Sequence, residues 1–268
     1  MFARPRWLLF LSGLLCFPGP LAADTTAVRD QIQRDVALIR SGGDVVINGQ
    51  GVASVQVLPA LYERNDYNPI WMRRDSVEQL FNVLDNIDLD GLDAAEYHAA
   101  TLEALRTELA KATKPDTVLT AQYDILLTDS LIRLGYHLLV GKVDPVELDN
   151  HWNKEYTIGG LDTTLKLATA IEQGRVTELV NDLRPQHPVY ANLRAALARY
   201  REIARQGGWQ AVPGGTTLKP GMTDSRVAAL RKRLAATADL PSADVNSTLF
   251  DDALEQGVKQ FQRRHGLE

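Results

Sequence analysis

Apolar residues recur every three or four positions along most of this chain, the spacing that places them on one face of an α-helix. The first such stripe, which predicts a helix over 25–39, consists of Val28, Ile32, Val36 and Ile39. Similar stripes predict helices over 55–64, 77–87, 102–109, 118–140, 161–172 and 188–205. The segment 118–140 is apolar on more than one face, so we expect it to be buried. The pattern predicts a mainly α fold built as a multi-helix domain.

Short polar and turn-forming residues separate these helices. The segment 45–49, Val-Val-Ile-Asn-Gly, predicts a short strand and a turn. We expect Asp75 or Ser76 to cap the helix over 77–87. The segment 88–93, Asp-Leu-Asp-Gly-Leu-Asp, supplies too few acidic ligands for a calcium loop of the helix-loop-helix type. We expect a turn at Asp90-Gly91 instead, and a capping role for Asp93 in the short helix that follows.

The last fifty residues carry two further amphipathic segments. Thr223 or Asp224 can cap the first helix, Asp251 or Asp252 can cap the second, and Gly266 can end it. Their apolar faces consist of Val227, Leu230 and Leu234 in the first helix and Leu254, Val258 and Phe261 in the second. Two helices of this size cannot bury both faces in each other, so a third element is expected. Because the given sequence stops soon after the second helix, we expect this three-helix module to be incomplete.

The first 23 residues have the pattern of a secretory signal peptide. Arg4 and Arg6 give a positive start, the apolar run over 7–17 is too short to span a bilayer, and Ala22-Ala23 offers a cleavage site. An uncleaved membrane anchor is the alternative. Cleavage would give a periplasmic protein without a membrane span and without Cys16, the single cysteine of the chain.

Charge and motif spacing exclude several kinds of function. The formal charge of −5 becomes −7 without Arg4 and Arg6, and no basic run is interleaved with aromatic residues, so we expect no nucleic-acid partner. No histidine pair has a metal-ligand spacing and no serine lies in a Gly-x-Ser-x-Gly turn, so we predict no metal and no cofactor. We expect the histidines to be caps or core residues; they are His98, His137, His151, His187 and His265. A carboxylate pair that cleaves glycans stays open, because its pairing would be spatial.

Two groups of residues are candidates for saccharide contact. Trp71, Trp152 and Trp209 each lie at an element end, where a ring more often closes the edge of a core than stacks on a sugar. Gln262, Arg263 and Arg264 are long hydrogen-bond donors in succession on the last predicted helix, which suits an anionic, hydroxyl-rich polymer. A solvated helix face is the alternative for these three residues.

The C-terminal segment resembles a bacterial peptidoglycan-binding module, a small three-helix unit. The residues that match its usual pattern are Phe250-Asp251, Val258, Phe261-Gln262 and Gly266-Leu267, while Gly257 stands where Ala is usual. In that family the Gly-Leu pair continues into an Asp-Gly turn and a third helix. The matching residues are mostly core and turn positions, so they indicate the fold more than the atoms that contact sugar.

The preceding body resembles the scaffold region of the large periplasmic murein L,D-transpeptidases, in which a peptidoglycan-binding module follows in the same way. The landmarks that carry this resemblance are Leu61-Tyr62-Glu63-Arg64-Asn65, Pro69-Ile70-Trp71, Asp90-Gly91-Leu92, Tyr97-His98, Asp124, Thr128-Asp129, His137-Leu138, Gly141–Pro145, Trp152 and His187–Tyr190 with Leu193. The resemblance implies a helical scaffold domain over 24–208 and an incomplete peptidoglycan-binding-like module over 218–268.

Catalysis in that family belongs to a further domain with a cysteine nucleophile, which is acylated by carbapenems. Because Cys16 is the only cysteine and lies in the predicted leader, we expect this chain to have no enzymatic activity of its own. The resemblance implies a scaffold that binds peptidoglycan (murein) and positions a catalytic L,D-transpeptidase domain or another cell-wall enzyme. The alternatives are a free-standing murein-binding adaptor and a carboxylate-dependent peptidoglycan hydrolase.

Overall fold

The computed structural model describes residues 25–42, 45–114, 116–143 and 163–267. These residues form two compact units, the first ending at Gln186 and the second starting at His187. The predicted leader over 1–23, including Cys16, lies outside the described residues, as do His151 and Trp152. Within the described ranges, no helix combines the length and the apolar character needed to cross a bilayer.

The first unit is almost entirely helical, as the apolar pattern predicts. Its helices are α1 (Thr25–Arg40), α2 (Val57–Arg64), α3 (Arg74–Asp85), α4 (Ala99–Lys111), α5 (Thr117–Leu139), α6 (Thr163–Glu172) and α7 (Val176–Leu183). A two-stranded antiparallel hairpin, β1 (Val46–Ile47) with β2 (Gln50–Gly51), follows α1. Short 3-10 helices span Ile87–Asp90 and Ala94–Tyr97. The fold class predicted from the sequence, mainly α, is confirmed.

The core of the first unit is arranged around α5, the longest helix. It contacts α1, α2, α3, α4 and α7, and most of its apolar residues are buried, among them Ile125, Leu126, Leu127, Leu131 and Leu134. Val118, Tyr136 and Leu139, near the two ends of the helix, are exposed. Burying one such side chain stabilises the folded chain by about 1.5–3 kcal/mol. The prediction that this segment is buried is therefore confirmed, and α5 sets the position of the elements around it.

Two carboxylates of α5 attach loops to this central helix. Asp124 is buried and accepts hydrogen bonds from the hydroxyl of Tyr62 at 2.6 Å and from the backbone N–H groups of Ile70 and Trp71 at 3.1 and 3.0 Å. Burial raises the pKa of the Asp124 carboxyl above its ordinary value, although these three donors act in the opposite direction. The segment that leads into α3 is thereby fixed to the core.

Asp129, one turn further along α5, fixes the segment after the hairpin. Its carboxylate accepts from the backbone N–H groups of Ala53 and Ser54 at 3.1 and 2.8 Å, and Nε2 of His98 lies 2.7 Å from its other oxygen. Burial alone would raise the pKa of Asp129, but the hydrogen bonds from His98 and Ser54 outweigh it and hold the pKa below its ordinary value. The two carboxylates therefore tie three non-helical segments to one helix.

Local details confirm some end signals and correct others. Asp93 caps the second 3-10 helix by accepting from Ala95 N–H, and Gly91 ends the first with φ +76°, both as predicted. The predicted cap of α3 is wrong: Arg73 is the capping position, Asp75 pairs with Arg73, and the Ser76 hydroxyl donates to the carbonyl of Ile171.

The apolar pattern did not predict α7. Its apolar residues Val176, Leu179, Val180 and Leu183 have helical spacing, and Val176 and Val180 are buried. A helix of eight residues has too few repeats to stand out from the turn residues around it. The helix is stabilised by packing against α3, α5 and α6.

The second unit contains α8 (Pro188–Arg205), α9 (Ser225–Ala236) and α10 (Asp252–Arg264). Asp224 accepts from Arg226 N–H and Asp251 accepts from Leu254 N–H, so both predicted caps are confirmed. By its contacts α8 belongs with the C-terminal segment. The division into 24–208 and 218–268 describes family resemblance and stays a prediction.

The apolar faces of α9 and α10 meet in a small core that also uses residues from the connection between them. Its buried members are Val227, Leu234, Leu240, Phe250 and Leu254, with Leu218, Leu230, Val258 and Phe261 packed around them. Leu240 and Phe250 thus cover part of the apolar surface that the two helices cannot bury against each other. At Gly257 a Cβ atom would lie 3.1 Å from the carbonyl oxygen of Asp239, which accounts for a glycine where the connection approaches α10.

We expect Asp124→Asn to lower the free energy of unfolding by about 2–4 kcal/mol, because an amide places an N–H₂ group among three donors in a buried site. Asp116→Asn is the matched control on the same helix, since Asn caps a helix about as well as Asp. Urea unfolding followed by circular dichroism measures both variants. Equal stability of the two would contradict the anchoring role of Asp124.

Candidate functional site

The three predicted peptidoglycan-contacting residues lie together at the C-terminal end of α10. Gln262 and Arg263 are exposed, and their carbonyl groups accept hydrogen bonds from the residues that end the helix. Arg264 instead forms an ion pair with Asp239 and donates to the hydroxyl of Tyr200 at 2.7 Å. All three residues are exposed, but Arg264 differs from the other two because partners within the unit hold its guanidinium.

The pair between Arg264 and Asp239 is joined by two hydrogen bonds. Nε and Nη2 of Arg264 lie 3.0 and 2.5 Å from the two oxygens of Asp239, and the Thr237 hydroxyl donates to the same carboxylate at 2.6 Å. Burial of Asp239 would raise its pKa, but the donors Arg264 and Thr237 outweigh burial and lower it. The carboxylate stays ionised and joins α10 to the turn after α9.

An arginine–aromatic cluster surrounds this pair; we use this name for Tyr200, Trp209, Arg233, Phe261 and Arg264. The guanidinium of Arg233 lies over the ring of Trp209, 3.9 Å from its centroid, and 5.3 Å from the centroid of Phe261. Tyr200 meets Trp209 edge to face at 6.2 Å. Trp209 nevertheless keeps 42% of its surface exposed. The cluster presents an aromatic ring and positive charge at one place on the surface of the second unit.

The other tryptophan that the structure describes has a structural role. Trp71 is only 8% exposed, and its indole N–H donates to the hydroxyl of Thr128 at 2.9 Å. This confirms the expectation that a tryptophan beside a proline closes the edge of a core. Trp152 lies outside the described residues, so Trp209 is the exposed indole that the structure offers.

The described histidines are core or end residues, as expected. His98 is buried against Asp129, His137 hydrogen-bonds with the Tyr97 hydroxyl at 2.8 Å, and His187 accepts from Val189 N–H at the start of α8. Burial lowers the pKa of His137 below its ordinary value. His265 stacks beside Phe261, with 4.3 Å between the ring centroids. Among the described residues, no His, Cys, Asp and Glu side chains gather in a group that could hold a metal ion.

The acidic segment 88–93 and a pocket beside α1 are two further candidate sites. Asp90 pairs with Arg184, whose Nε and Nη2 lie about 3 Å from its carboxylate, so this segment is a salt-bridged turn. A pocket of about 140 Å³ opens between the start of α1 and the segment before α3. It is lined mainly by apolar atoms, and its carboxylate, Asp124, already accepts from three donors.

Sequence reasoning missed Tyr200, Arg233 and Asp239 as parts of the site. Tyr200 lies 64 positions before Arg264, in the segment predicted to belong to the helical body, so no local spacing connects the two. Arg233 belongs to a run of three basic residues on α9, 231–233, which reads as a solvated face. Proximity in the fold, rather than sequence order, brings these residues together.

We expect Arg264→Gln to destabilise the chain by about 1–3 kcal/mol, because it leaves the buried carboxylate of Asp239 without its charged partner. Arg263→Gln removes the same charge from the neighbouring exposed position and should change stability by less than about 0.5 kcal/mol. Chemical unfolding at pH 7 measures the difference between the two variants.

The lowered pKa of Asp239 also predicts how the stability of the two chains changes in acid. Because the pKa of Asp239 is lowered in the folded state, its contribution is present above the ordinary Asp pKa of about 4 and is lost as the pH falls through the folded value. Arg264→Gln should therefore lose less stability than the unsubstituted chain as the pH falls below about 4. Parallel acid profiles would contradict the pairing.

Comparison with known protein families supports the assignment of the helical body. A search of curated proteins finds no match to the chain. The model of a family described as Scaffold domain matches residues 56–197, which is more than half of the chain and covers the elements from α2 into α8. Asp124 and Asp129 of α5 lie inside this match, whereas the segment at 53–54 that Asp129 holds lies just before it. The chain belongs to the Scaffold domain family.

Proposed function

We propose that this chain is the non-catalytic scaffold and peptidoglycan-binding region of a murein L,D-transpeptidase, acting in peptidoglycan cross-linking in the periplasm. Membership of the Scaffold domain family supports the scaffold role. The landmarks of the body and the Phe250-Asp251, Phe261-Gln262 and Gly266-Leu267 pairs support the murein context by resemblance. The signal-peptide pattern of residues 1–23 supports export.

A scaffold must keep a fixed shape while other parts bind and react. In the first unit, α5 provides this by burying its apolar residues and by holding the segments at 53–54 and 70–71 through Asp129 and Asp124. Buried carboxylates that accept several hydrogen bonds specify one arrangement of the loops. The unit is suited to support rather than to chemistry.

The arginine–aromatic cluster is the main observation that supports peptidoglycan binding. Peptidoglycan presents sugar rings, hydroxyl groups and the carboxylates of its stem peptides, and these suit an exposed indole beside guanidinium groups. The second unit is also basic, with 12 Lys and Arg against 8 Asp and Glu over residues 187–268. Gln262 and Arg263 add exposed donors beside the cluster.

Bond formation would come from a partner. An acyl transfer of the L,D-transpeptidase type needs a thiolate, and Cys16 in the predicted leader is the single cysteine of the sequence. The partner would be a catalytic L,D-transpeptidase domain, or another cell-wall enzyme, brought to murein by this chain.

Incubation of the purified mature chain with intact sacculi tests the proposed function. We expect the chain to sediment with the sacculi, to be released by raised salt because screening weakens the charge contribution, and to liberate no soluble muropeptides. Release of muropeptides would instead support a carboxylate-dependent hydrolase. Failure to sediment, with recovery of one stoichiometric protein partner, would support a free-standing adaptor that binds a protein through the helical body instead of murein.

We also expect the mature chain to form no covalent adduct with a carbapenem, since acylation requires the nucleophilic thiol that the sequence after residue 16 lacks. Intact-mass measurement after incubation with excess carbapenem checks this, and a catalytically competent L,D-transpeptidase serves as the positive control. A stoichiometric mass increase on the mature chain would contradict the non-catalytic role.

A further inference from the structure

Trp209 lies in the segment that joins α8 to α9, outside the segment 218–268 that resembles a peptidoglycan-binding module. Its ring is 42% exposed although its neighbours Tyr200 and Arg233 belong to two different helices. A large apolar ring costs free energy when it stays in water, so a ring that is held in place and still exposed is a candidate contact surface.

Arg233 has hydrogen-bonding capacity to spare at this position. A guanidinium carries five N–H donors, and the hydrogen bond that the structure gives to Arg233 runs to the Thr237 hydroxyl at 3.0 Å. The nearby carboxylate of Asp239 already accepts from Nε and Nη2 of Arg264. Within the described residues Arg233 forms no ion pair, so its half-buried charge lies on the Trp209 ring with donors available.

The side chains around Trp209 are held in place by contacts of their own. Tyr200 receives a hydrogen bond from Arg264, Arg264 is fixed by Asp239, and Arg233 is fixed by Thr237 and by the rings on either side. Fixing these side chains before a ligand arrives reduces the entropy that binding must remove. The site is therefore pre-formed across α8, α9 and α10.

We propose that Trp209 and Arg233 form a subsite for a carboxylate-bearing saccharide, with a sugar ring packed on the indole and a carboxylate paired with the guanidinium. This deepens the proposed function and rests on it. The binding region of the second unit then starts at α8, since Tyr200 supports the Trp209 ring, and includes the connection before residue 218. The ligand class is a muropeptide, which joins a pyranose ring to the free carboxylates of a stem peptide.

Calorimetric titration of the full mature chain with a soluble disaccharide–tetrapeptide tests the subsite. We expect Trp209→Ala and Arg233→Gln each to weaken binding by about tenfold, because each removes one of the two contacts. Trp209→Phe keeps an aromatic face and should lose less than Trp209→Ala. Lys232→Gln removes the same charge from the adjacent exposed position and should bind within about twofold of the unsubstituted chain. Thermal unfolding of each variant confirms that it is folded.

Two neutral or differently charged probes test the ligand class. A chito-oligosaccharide without carboxylates and a single-stranded oligonucleotide should each bind at least about tenfold more weakly than the muropeptide, because the first lacks the ion pair and the second lacks the pyranose packing. Tight binding of either would overturn the assignment to carboxylate-bearing saccharides.

The outcomes separate this inference from the function on which it rests. If the unsubstituted chain binds sacculi and Trp209→Ala and Arg233→Gln bind equally well, the subsite is wrong and the proposed function stands. If Lys232→Gln loses as much as Arg233→Gln, general charge attraction replaces the specific contact and the subsite is again wrong. If the unsubstituted chain binds neither sacculi nor muropeptide, the proposed function fails, and the subsite with it.

Discussion

The scaffold depends most on the hydrogen bonds that the buried carboxylate of Asp124 accepts. Three donors from two separate segments converge on it, and the neighbouring Thr128 hydroxyl receives the indole N–H of Trp71. Removing a charged acceptor from such a site leaves several donors unpaired in the interior, where each costs more than a hydrogen bond gains at the surface. The course of the chain between α2 and α3 therefore follows from one side chain of α5.

The second unit uses the same device with fewer apolar residues. Its core is small. The ion pair between Arg264 and Asp239 and the stacking of Arg233 on Trp209 therefore contribute more to holding its elements together. Small cores often need such additional constraints, because they bury too little surface to offset the loss of chain entropy. Here the constraints also fix the groups that are proposed to contact the ligand, so stability and binding depend on overlapping residues.

The sequence predicts most of the helices because their apolar stripes are long. The helix at Pro188–Arg205 has the predicted bounds, and α5 begins and ends within one residue of its predicted range. Errors occur where a short segment depends on contacts distant in sequence. The eight residues of α7 carry too few repeats, and Ser76 donates to Ile171, 95 positions away, instead of capping α3.

The candidate site was less predictable than the fold for the same reason. Gln262, Arg263 and Arg264 are alike in sequence, yet the pairing of Arg264 with Asp239 and Tyr200 distinguishes it from its neighbours. Arg233 is a candidate site residue because its guanidinium lies on the ring of Trp209. Trp209 lies 24 positions earlier in an irregular connection, where the sequence has no helical periodicity. Helical spacing specifies which face of a helix is buried, but it contains no information about which exposed residues meet across a connection.

Charge is divided unevenly between the two parts of the sequence, and this bears on how the chain would meet an anionic polymer. Residues 1–186 contain 17 Lys and Arg against 26 Asp and Glu, whereas residues 187–268 contain 12 against 8. A polymer rich in carboxylates is attracted to the basic segment and repelled by the acidic one, over a range of about 8–10 Å at physiological salt. On the proposed function, the attraction to such a polymer would therefore come from the unit that carries Trp209 and Arg233. Because the net charge of the whole chain is negative and would oppose association, the proposed binding would depend on this specific cluster of side chains.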